Sequence, residues 1–168
     1  MRFHALTAED TETFGAQLAR ACPKSADALA VVYLTGDLGA GKTTLARGFL
    51  RAHGVTGPVR SPTFTLVEIY EAGLLTIVHL DLYRLRDPSE LDNLGLREWA
   101  KPHHVWLVEW PERGAARLPP ADLTIKLTAS SPGHEAGHES GHNIEVRSHT
   151  ALGQSWLIRL AAPPLSGS

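Results

Sequence analysis

The sequence predicts a single α/β domain whose central sheet is mixed, mostly parallel and flanked by helices. Three observations support this fold class. A β-rich apolar run leads into a glycine-rich turn and then a helical pattern, two further apolar runs each end in an acidic residue, and two strand-like runs are separated by only three residues. The first two patterns are typical of parallel strands joined by helices. The third indicates an antiparallel hairpin within the same sheet.

The composition is that of one ordinary globular domain. The chain has 168 residues, of which 43% are hydrophobic and 20% charged, which is enough for a full core. Its one cysteine, Cys22, leaves no intramolecular disulfide and no zinc-finger ligand set. The first twenty residues lack the apolar stretch of a signal peptide, and the longest apolar run, residues 28–34, is short of the ~20 residues of a membrane helix. We therefore expect a cytoplasmic protein that does not bind membranes.

The first elements are predicted from caps and periodicity. Residues 7–21 favour a helix, because Thr7 can cap its start and apolar residues recur every three to four positions. Residues 29–35 are a buried strand. After the glycine-rich turn, residues 44–53 form a second helix that ends near Gly54.

The remaining elements follow the same rules. In chain order they are strands at 63–70 and 75–81, one or two short helices at 88–100, strands at 105–109, 122–128 and 143–148, and a helix at 150–160. The connector 71–73 is short enough for a hairpin. No linker divides the chain, so we expect residues 1–160 to form one domain and residues 161–168 to form a C-terminal tail.

Residues 129–142 contain no large apolar side chain and repeat Gly-His every four positions. This composition predicts a surface loop or a flexible hairpin tip. His134, His138 and His142 suggest metal binding as an alternative, but glycines at 133, 137 and 141 disfavour the helix that would place them on one face.

Residues 36–43, GDLGAGKT, fit the pattern G-x-x-x-x-G-K-[ST] at every fixed position. Because a strand precedes the motif and a helix follows it, backbone N–H groups can surround a β-phosphate at the helix N-terminus. Lys42 would neutralise β- and γ-phosphate charge from a solvent-accessible position, and the Thr43 hydroxyl would bind Mg²⁺. The domain is therefore predicted to be a P-loop NTPase domain. The alternative is a glycine-rich turn that binds nothing.

A P-loop site also needs a carboxylate for Mg²⁺ at the carboxyl end of a neighbouring strand. Asp81 and Glu109 both fit. Glu109 follows the cleaner apolar run and resembles a Walker B acid. Asp81 could order a metal-bound water, the attacking water or a switch segment. Either carboxylate could instead cap the next turn.

The nucleotide is predicted to be ATP, because the base-recognition element N/T-K-x-D of GTPases is missing. A small-molecule kinase would also use this loop, usually with an arginine-bearing lid. Arg84, Arg86 and Arg97 could form such a lid or could be scattered surface residues.

The charge pattern disfavours direct nucleic-acid binding. Sixteen basic and eighteen acidic residues give a formal charge of −2, and no Lys/Arg block stands out. Phosphate contacts dominate nucleic-acid binding, so we expect any nucleic acid to be held mainly by another protein.

Four segments in register resemble the bacterial TsaE family. They are GDLGAGKTTLARGFL (36–50), SPTFTLVEIY (61–70), HLDLYRL (79–85) and LVEWPERG (107–114). The resemblance covers about residues 7–128. It implies an Mg²⁺-dependent ATPase that is required for threonylcarbamoyladenosine formation at position 37 of tRNA. It also implies that the protein acts with the TsaD and TsaB proteins and reaches tRNA through their complex.

The same resemblance implies roles for individual residues. The phosphate-binding segment comprises Gly39, Ala40, Gly41, Lys42, Thr43 and Thr44. Thr43 and Glu109 are implied as Mg²⁺ ligands. Lys42, Asp81 and Glu109 are implied as catalytic residues, with Asp81 also in the nucleotide site. Thr11 would lie near the adenosine.

Residues 61–63 resemble the family's switch-like loop, in which Thr63 could sense the γ-phosphate or simply belong to a turn before a strand. Trp110 matches the tryptophan beside the acid and could be core or could face a partner or nucleotide. The sequence departs from the family pattern at Gly141 and His142, because members commonly carry an arginine after that glycine. A nucleotide contact from this position would depend on pH and be weaker than one from arginine.

Two alternatives to the ATPase remain open. One is a nucleotide-gated binding module whose hydrolysis only resets docking. The other is the small-molecule kinase.

Overall fold

The computed structural model describes residues 1–23, 28–129 and 142–162. Its strands are β1 (Arg2–Ala5), β2 (Ala30–Thr35), β3 (Val67–Ala72), β4 (Leu75–Asp81), β5 (His104–Glu109), β6 (Leu123–Ala129) and β7 (His142–Ser148). Its α-helices are α1 (Ala8–Arg20), α2 (Lys42–Ala52) and α3 (Ala151–Ala161). Short 3-10 helices lie at Pro88–Asn93, Leu96–Trp99, Pro111–Arg113 and Ala115–Arg117.

The seven strands form one sheet in the order β1-β7-β6-β2-β5-β4-β3. Strands β6, β2, β5 and β4 are parallel, whereas β1, β7 and β3 pair antiparallel to their neighbours. The predicted α/β class with a mixed sheet flanked by helices is confirmed. Parallel pairing aligns the carboxyl ends of the central strands, so Asp81 lies opposite Glu109 in the register of β4 and β5. This edge of the sheet carries the candidate site.

Two hydrophobic layers cover the sheet. The three α-helices pack on one face, where Leu18, Phe49 and Trp156 are fully buried. The other face is covered by the segment that contains the short helices, through residues such as Leu91 packed near Trp106. The indole N–H of Trp156 donates to the carbonyl of Leu18 at 2.9 Å, which ties α3 to α1. Burial of these large side chains stabilises the layers on both faces.

Helices α1 and α2 cross in close contact through two glycines. A Cβ atom at Gly48 would lie 1.9 Å from the carbonyl oxygen of Glu12, and one at Gly15 would lie 2.1 Å from the carbonyl oxygen of Leu45. Arg47 adds an ion pair to Glu12 at 2.8 Å. This crossing sets α1 directly beside the first turn of α2.

The predicted helices at 7–21, 44–53 and 150–160 match α1, α2 and α3 to within two residues. Thr7 caps α1 by accepting a hydrogen bond from the Asp10 N–H, as its sequence pattern indicates. The predicted interruption near Gly95 is also present, because Gly95 has φ +63° between two short helices.

Strand β1 was not predicted. It has only four residues and pairs with β7, about 140 positions away, with Arg2 opposite Glu145. Such a short edge strand carries no strong local pattern, since its pairing partner decides its conformation.

Two predicted boundaries around the hairpin are wrong. Residues 63–66 form a turn, so β3 begins only at Val67 and continues to Ala72. The hairpin connector therefore has two residues, Gly73 and Leu74, rather than three. The reason for the late start is that Leu66 adopts φ +65° and donates its N–H to the carbonyl of Pro62.

The predicted loop at 129–142 is shorter at both ends, because Ala129 and His142 pair with each other in β6 and β7. His134 and His138 lie outside the described residues, and so do residues 163–168 of the predicted tail. In the described part of the chain, no helix is long and apolar enough to cross a membrane.

Candidate nucleotide site

The loop between β2 and α2 has a backbone that only glycines allow. Gly36, Gly39 and Gly41 have φ +137°, +80° and +89°, in a region where other residues are strained. Gly36 is also packed tightly, because a Cβ there would lie 2.1 Å from the carbonyl oxygen of Leu127. Gly41 begins α2 without a side-chain cap. The first N–H groups of α2 are therefore suited to bind an anion.

A cavity of about 420 Å³ opens at this loop. Its lining comprises Leu38, Gly39, Ala40, Gly41, Lys42, Thr43, Thr44, Ser61, Thr63, Phe64, Asp81, Tyr83, Arg84, Glu109 and Trp110. The structure thus brings the predicted phosphate-binding segment together with both candidate carboxylates. Thr11 is the one predicted site residue that does not line the cavity.

Lys42 is buried, contrary to the expected solvent-accessible position, with only 4% of its surface exposed. Its ammonium donates to the carbonyls of Gly36 at 2.7 Å and Asp37 at 2.8 Å. It also lies 4.0 Å from the centre of the Trp110 ring. Burial lowers the pKa of Lys42, although the charge of Glu109 opposes this shift. The loop carbonyls draw the side chain back along the loop, which explains why it does not extend into solvent.

Thr43 and Glu109 are in direct contact. The Thr43 hydroxyl lies 2.9 Å from Oε1 of Glu109 and 3.0 Å from Oε2. His79, from the neighbouring strand β4, contacts the same Oε1 through Nε2 at 2.9 Å. Hydroxyl and carboxylate oxygens are the ligands that Mg²⁺ prefers. The oxygen atoms present here therefore fit Mg²⁺, with Thr43 and Glu109 as the residues that would bind it.

Asp81 fastens a neighbouring segment to the site. Its Oδ2 accepts from the hydroxyls of Ser61 and of Thr63, the latter at 2.8 Å. Its Oδ1 accepts from the backbone N–H of Tyr83 at 3.0 Å. Asp81 therefore both caps the turn after β4 and orders the segment at 61–63, two of the roles that the sequence left open.

Thr11 and His142 lie against the glycine-rich loop from the side of α1 and β7. The Thr11 hydroxyl lies 3.1 Å from Nδ1 of His142. A Cβ at Gly41 would lie 3.2 Å from the His142 ring and 3.4 Å from the Thr11 methyl group. His142, which stands at the sequence position where family members commonly carry an arginine, therefore lies beside this loop.

Aromatic side chains form one wall of the cavity. Trp110 follows Glu109 with φ +58° and packs against Tyr83 with a centroid separation of 5.0 Å. Phe64 lies under the guanidinium of Arg84 at 4.2 Å. Of the three arginines considered for a lid, only Arg84 lines the cavity.

Sequence reasoning missed His79 and Phe64. The signal for His79 was a histidine inside the otherwise apolar strand LTIVHLD, where a polar side chain needs a partner. Phe64 gave no usable signal, because an aromatic residue in TFTL reads as part of a strand.

Comparisons with known proteins agree on one family. The profile of the family described as threonylcarbamoyl adenosine biosynthesis protein TsaE matches residues 5–136. A Haemophilus influenzae protein named tRNA threonylcarbamoyladenosine biosynthesis protein TsaE is 44% identical over 125 residues, which is 74% of either chain. A Bacillus subtilis protein of the same name is 41% identical over 125 residues, covering 74% of this chain and 75% of that one. A crystal structure of Bacillus subtilis YdiB superimposes with a TM-score of 0.74 at 28% identity and covers 96% of this chain and 93% of that chain.

Proposed function

Because the chain belongs to the TsaE family of tRNA threonylcarbamoyladenosine biosynthesis, we propose that it hydrolyses ATP with Mg²⁺ in that pathway. The observation that supports this most strongly is the contact between the Thr43 hydroxyl and the Glu109 carboxylate at the end of a glycine-rich loop. This pair joins the first turn of α2 to the end of β5. It brings hard oxygen ligands to the place where the loop would hold phosphates.

The phosphates would be held chiefly by the backbone. The first N–H groups of α2, which begins after Gly41 without a side-chain cap, lie at the cavity, where the helix dipole favours negative charge. Lys42 adds a positive charge in the same loop, since its ammonium is only 2.7 to 2.8 Å from loop carbonyls. A charge held in place before the reaction stabilises the transferring phosphoryl group without reorganisation.

Thr43 and Glu109 would hold Mg²⁺, which when bound neutralises phosphate charge. Asp81 is buried at the same edge and is already hydrogen-bonded to Ser61 and Thr63. Its role would be to orient those hydroxyls, and any water near them, toward the terminal phosphate. The chain supplies only positions and charges, which is the usual protein contribution to phosphoryl transfer.

Phosphate release from ATP by the purified chain, with Mg²⁺ and with EDTA, tests the ATPase. Thr43→Val removes the hydroxyl at nearly constant shape, whereas Thr43→Ser keeps it. We expect Mg²⁺-dependent release from wild type and Thr43→Ser, and a loss of roughly 100-fold or more in Thr43→Val. A folded wild-type protein that releases no phosphate above the buffer rate would contradict the proposal. Release of one free phosphate per ADP without any acceptor would exclude the kinase.

The proposed partners are the TsaD and TsaB proteins, and tRNA is reached through them. Two large apolar side chains are exposed at the cavity rim, with Phe64 82% exposed and Leu38 72% exposed. Aromatic residues, phenylalanine included, are enriched at protein–protein interfaces relative to the rest of the surface. Phe64 directly follows Thr63, whose hydroxyl donates to Asp81. A nucleotide bound in the cavity can therefore change the position of Phe64 and the surface that a partner contacts. This arrangement is also what a nucleotide-gated binding module would need.

Titration of a labelled TsaD–TsaB complex tests the partner proposal in ATP and in ADP. We expect tighter binding with ATP, and weaker binding by Phe64→Ala. Leu74→Ala is the control, because Leu74 is also a highly exposed apolar residue, 91% exposed, but lies at the β3–β4 turn away from the cavity. Equal affinities in both nucleotides would contradict the gating. Tight, nucleotide-independent binding of tRNA by the chain alone would contradict the indirect route to tRNA.

A further inference from the structure

His79 is a fully buried histidine in the middle of an apolar strand. In β4 it shares a face with Ile77 and Asp81, and in the neighbouring strand β5 the residues on that face are Val105, Leu107 and Glu109. The β4–β5 register sets His79 opposite Leu107, so Glu109 lies diagonally across from it. This face packs against the α-helices, including Phe49 of α2. The imidazole therefore lies on the helix-covered face of the sheet and has no access to solvent.

Only one nitrogen of this imidazole has a partner among the described residues. Nε2 lies 2.9 Å from Oε1 of Glu109, and Nδ1 is buried without a hydrogen bond. A carboxylate oxygen only accepts, so Nε2 carries the proton and donates it. Burying a histidine with one unpaired nitrogen costs stability compared with an aliphatic residue. A residue kept only for packing would avoid that cost, so the single bond to Glu109 is the feature that needs an explanation.

The bond adds a second restraint on the Glu109 carboxylate, which the Thr43 hydroxyl also contacts. Glutamate has more rotatable bonds than aspartate, and Glu109 is anchored to the loop only by Thr43. His79 donates to Oε1, the oxygen that also accepts from Thr43, and so holds the carboxylate beside the Thr43 hydroxyl. Partners that orient a metal ligand in this way commonly change metal affinity by 10–100-fold when they are removed.

We propose that His79 is a positioning residue, which holds the Glu109 carboxylate beside Thr43 where the two would bind Mg²⁺. The inference rests on the proposed Mg²⁺-nucleotide site. His79 is buried between the sheet and the α-helices and does not line the cavity. Its loss should therefore weaken Mg²⁺ binding while leaving nucleotide binding without metal unchanged.

Two amide substitutions at His79 distinguish the loss of the hydrogen bond to Glu109 from a general disturbance of packing. The amide nitrogen of His79→Gln can approach the position of Nε2, whereas the shorter His79→Asn cannot extend to Glu109. Both variants bury a similar polar group, so a purely structural effect would be alike in the two. His104→Asn is the control, because His104 is a second buried histidine whose Nδ1 pairs with the Pro102 carbonyl at the start of β5.

The measurement is calorimetric titration of Mg²⁺ into each protein saturated with ADP, with metal-free ADP binding measured separately. We expect His79→Asn to bind Mg²⁺ about 10–100-fold more weakly than wild type, and His79→Gln and His104→Asn to stay within about threefold. ADP binding without metal should be equal in all four proteins. Thermal unfolding confirms that each variant is folded.

Equal Mg²⁺ affinity in wild type, His79→Gln and His79→Asn would overturn the role of His79 while leaving the proposed site intact. Equal weakening in both amide variants would also overturn it, since a positioning role requires the longer amide to rescue. If His79→Asn does not fold, His79→Leu takes its place, because leucine has no donor: wild-type Mg²⁺ affinity in a folded His79→Leu would overturn the role, and weak binding in it with rescue by His79→Gln would support the role. If wild type itself binds no Mg²⁺ with nucleotide, the proposed site fails and the inference fails with it.

Discussion

Replacing Lys42 by methionine removes the ammonium but keeps an unbranched stem of similar length. The loss of one charge-stabilising group at a phosphoryl site costs about 10²–10³ in turnover, or roughly 2.7–4 kcal/mol. We therefore expect the Lys42→Met protein to lose at least 99% of its ATP hydrolysis. An exposed Lys42, as predicted from sequence, could be replaced without effect on the fold. Because Lys42 is in fact buried, the substitution also changes the free energy of unfolding.

The stability effect has two opposing parts. The variant loses hydrogen bonds of 2.7 and 2.8 Å from the ammonium to the carbonyls of Gly36 and Asp37, and such charged hydrogen bonds are worth about 1.5–3 kcal/mol. It also removes a buried charge, whose cost shows in the lowered pKa of Lys42. Because the two parts oppose each other, the net loss should be smaller than the sum of about 3–6 kcal/mol that the two hydrogen bonds alone would give. A domain of ordinary stability, about 5–15 kcal/mol, remains folded.

Steady-state phosphate release and scanning calorimetry on the same preparations test both parts. Lys101→Met is the matched control, because the Lys101 ammonium also lies over a tryptophan ring, at 6.0 Å from Trp99, but away from the cavity. We expect its hydrolysis to equal that of wild type. A folded Lys42→Met protein that hydrolyses ATP at the wild-type rate would refute the assignment of residues 36–43 as the phosphate loop.

Three further predictions concern the carboxylates, the helix crossing and the thiol. Glu109→Ala should mainly lose Mg²⁺-dependent nucleotide affinity and Asp81→Ala mainly turnover, as calorimetry with and without Mg²⁺ and steady-state hydrolysis would show; normal binding and hydrolysis in both would make both carboxylates structural. Gly48→Ala should lower the free energy of unfolding by about 2 kcal/mol in urea despite its better helix propensity, because its Cβ would lie 1.9 Å from the Glu12 carbonyl; unchanged stability would mean that α1 and α2 can separate freely. Burial raises the pKa of Cys22 from 9.0 to about 12, so the unfolded thiol ionises first and stability should fall between pH 9 and 12 by up to about 1.4 kcal/mol per pH unit. Cys22→Ala should lose that part of the pH dependence, and an identical pH profile in both proteins would contradict it.

The core of the fold was predictable because local patterns and tertiary structure agree there. The strand, the glycine-rich turn and α2 form one unit whose backbone demands glycine at 36, 39 and 41. The buried strands at β4 and β5 carry nearly continuous apolar runs, as parallel central strands do. Their terminal carboxylates, Asp81 and Glu109, therefore had to meet at one edge of the sheet.

The parts that sequence reasoning missed depend on distant residues. Residues 63–66 have strand-forming composition, but Asp81 accepts hydrogen bonds from the Ser61 and Thr63 hydroxyls and holds the segment in a turn. The contact between His79 and Glu109 depends on the register of two strands 30 residues apart, which no local pattern encodes. The burial of Lys42 likewise depends on where the loop carbonyls point once the loop has closed.

Reconstitution of threonylcarbamoyladenosine on unmodified tRNA tests the central claim most directly. The reaction would contain ATP, Mg²⁺, threonylcarbamoyl-adenylate and the TsaD and TsaB proteins, with wild-type chain, with the Lys42→Met variant or with neither. If the chain acts through ATP hydrolysis, the wild-type protein should sustain repeated rounds of modification, and the other two reactions should remain low. Equal yields of modified tRNA in all three reactions would contradict the account.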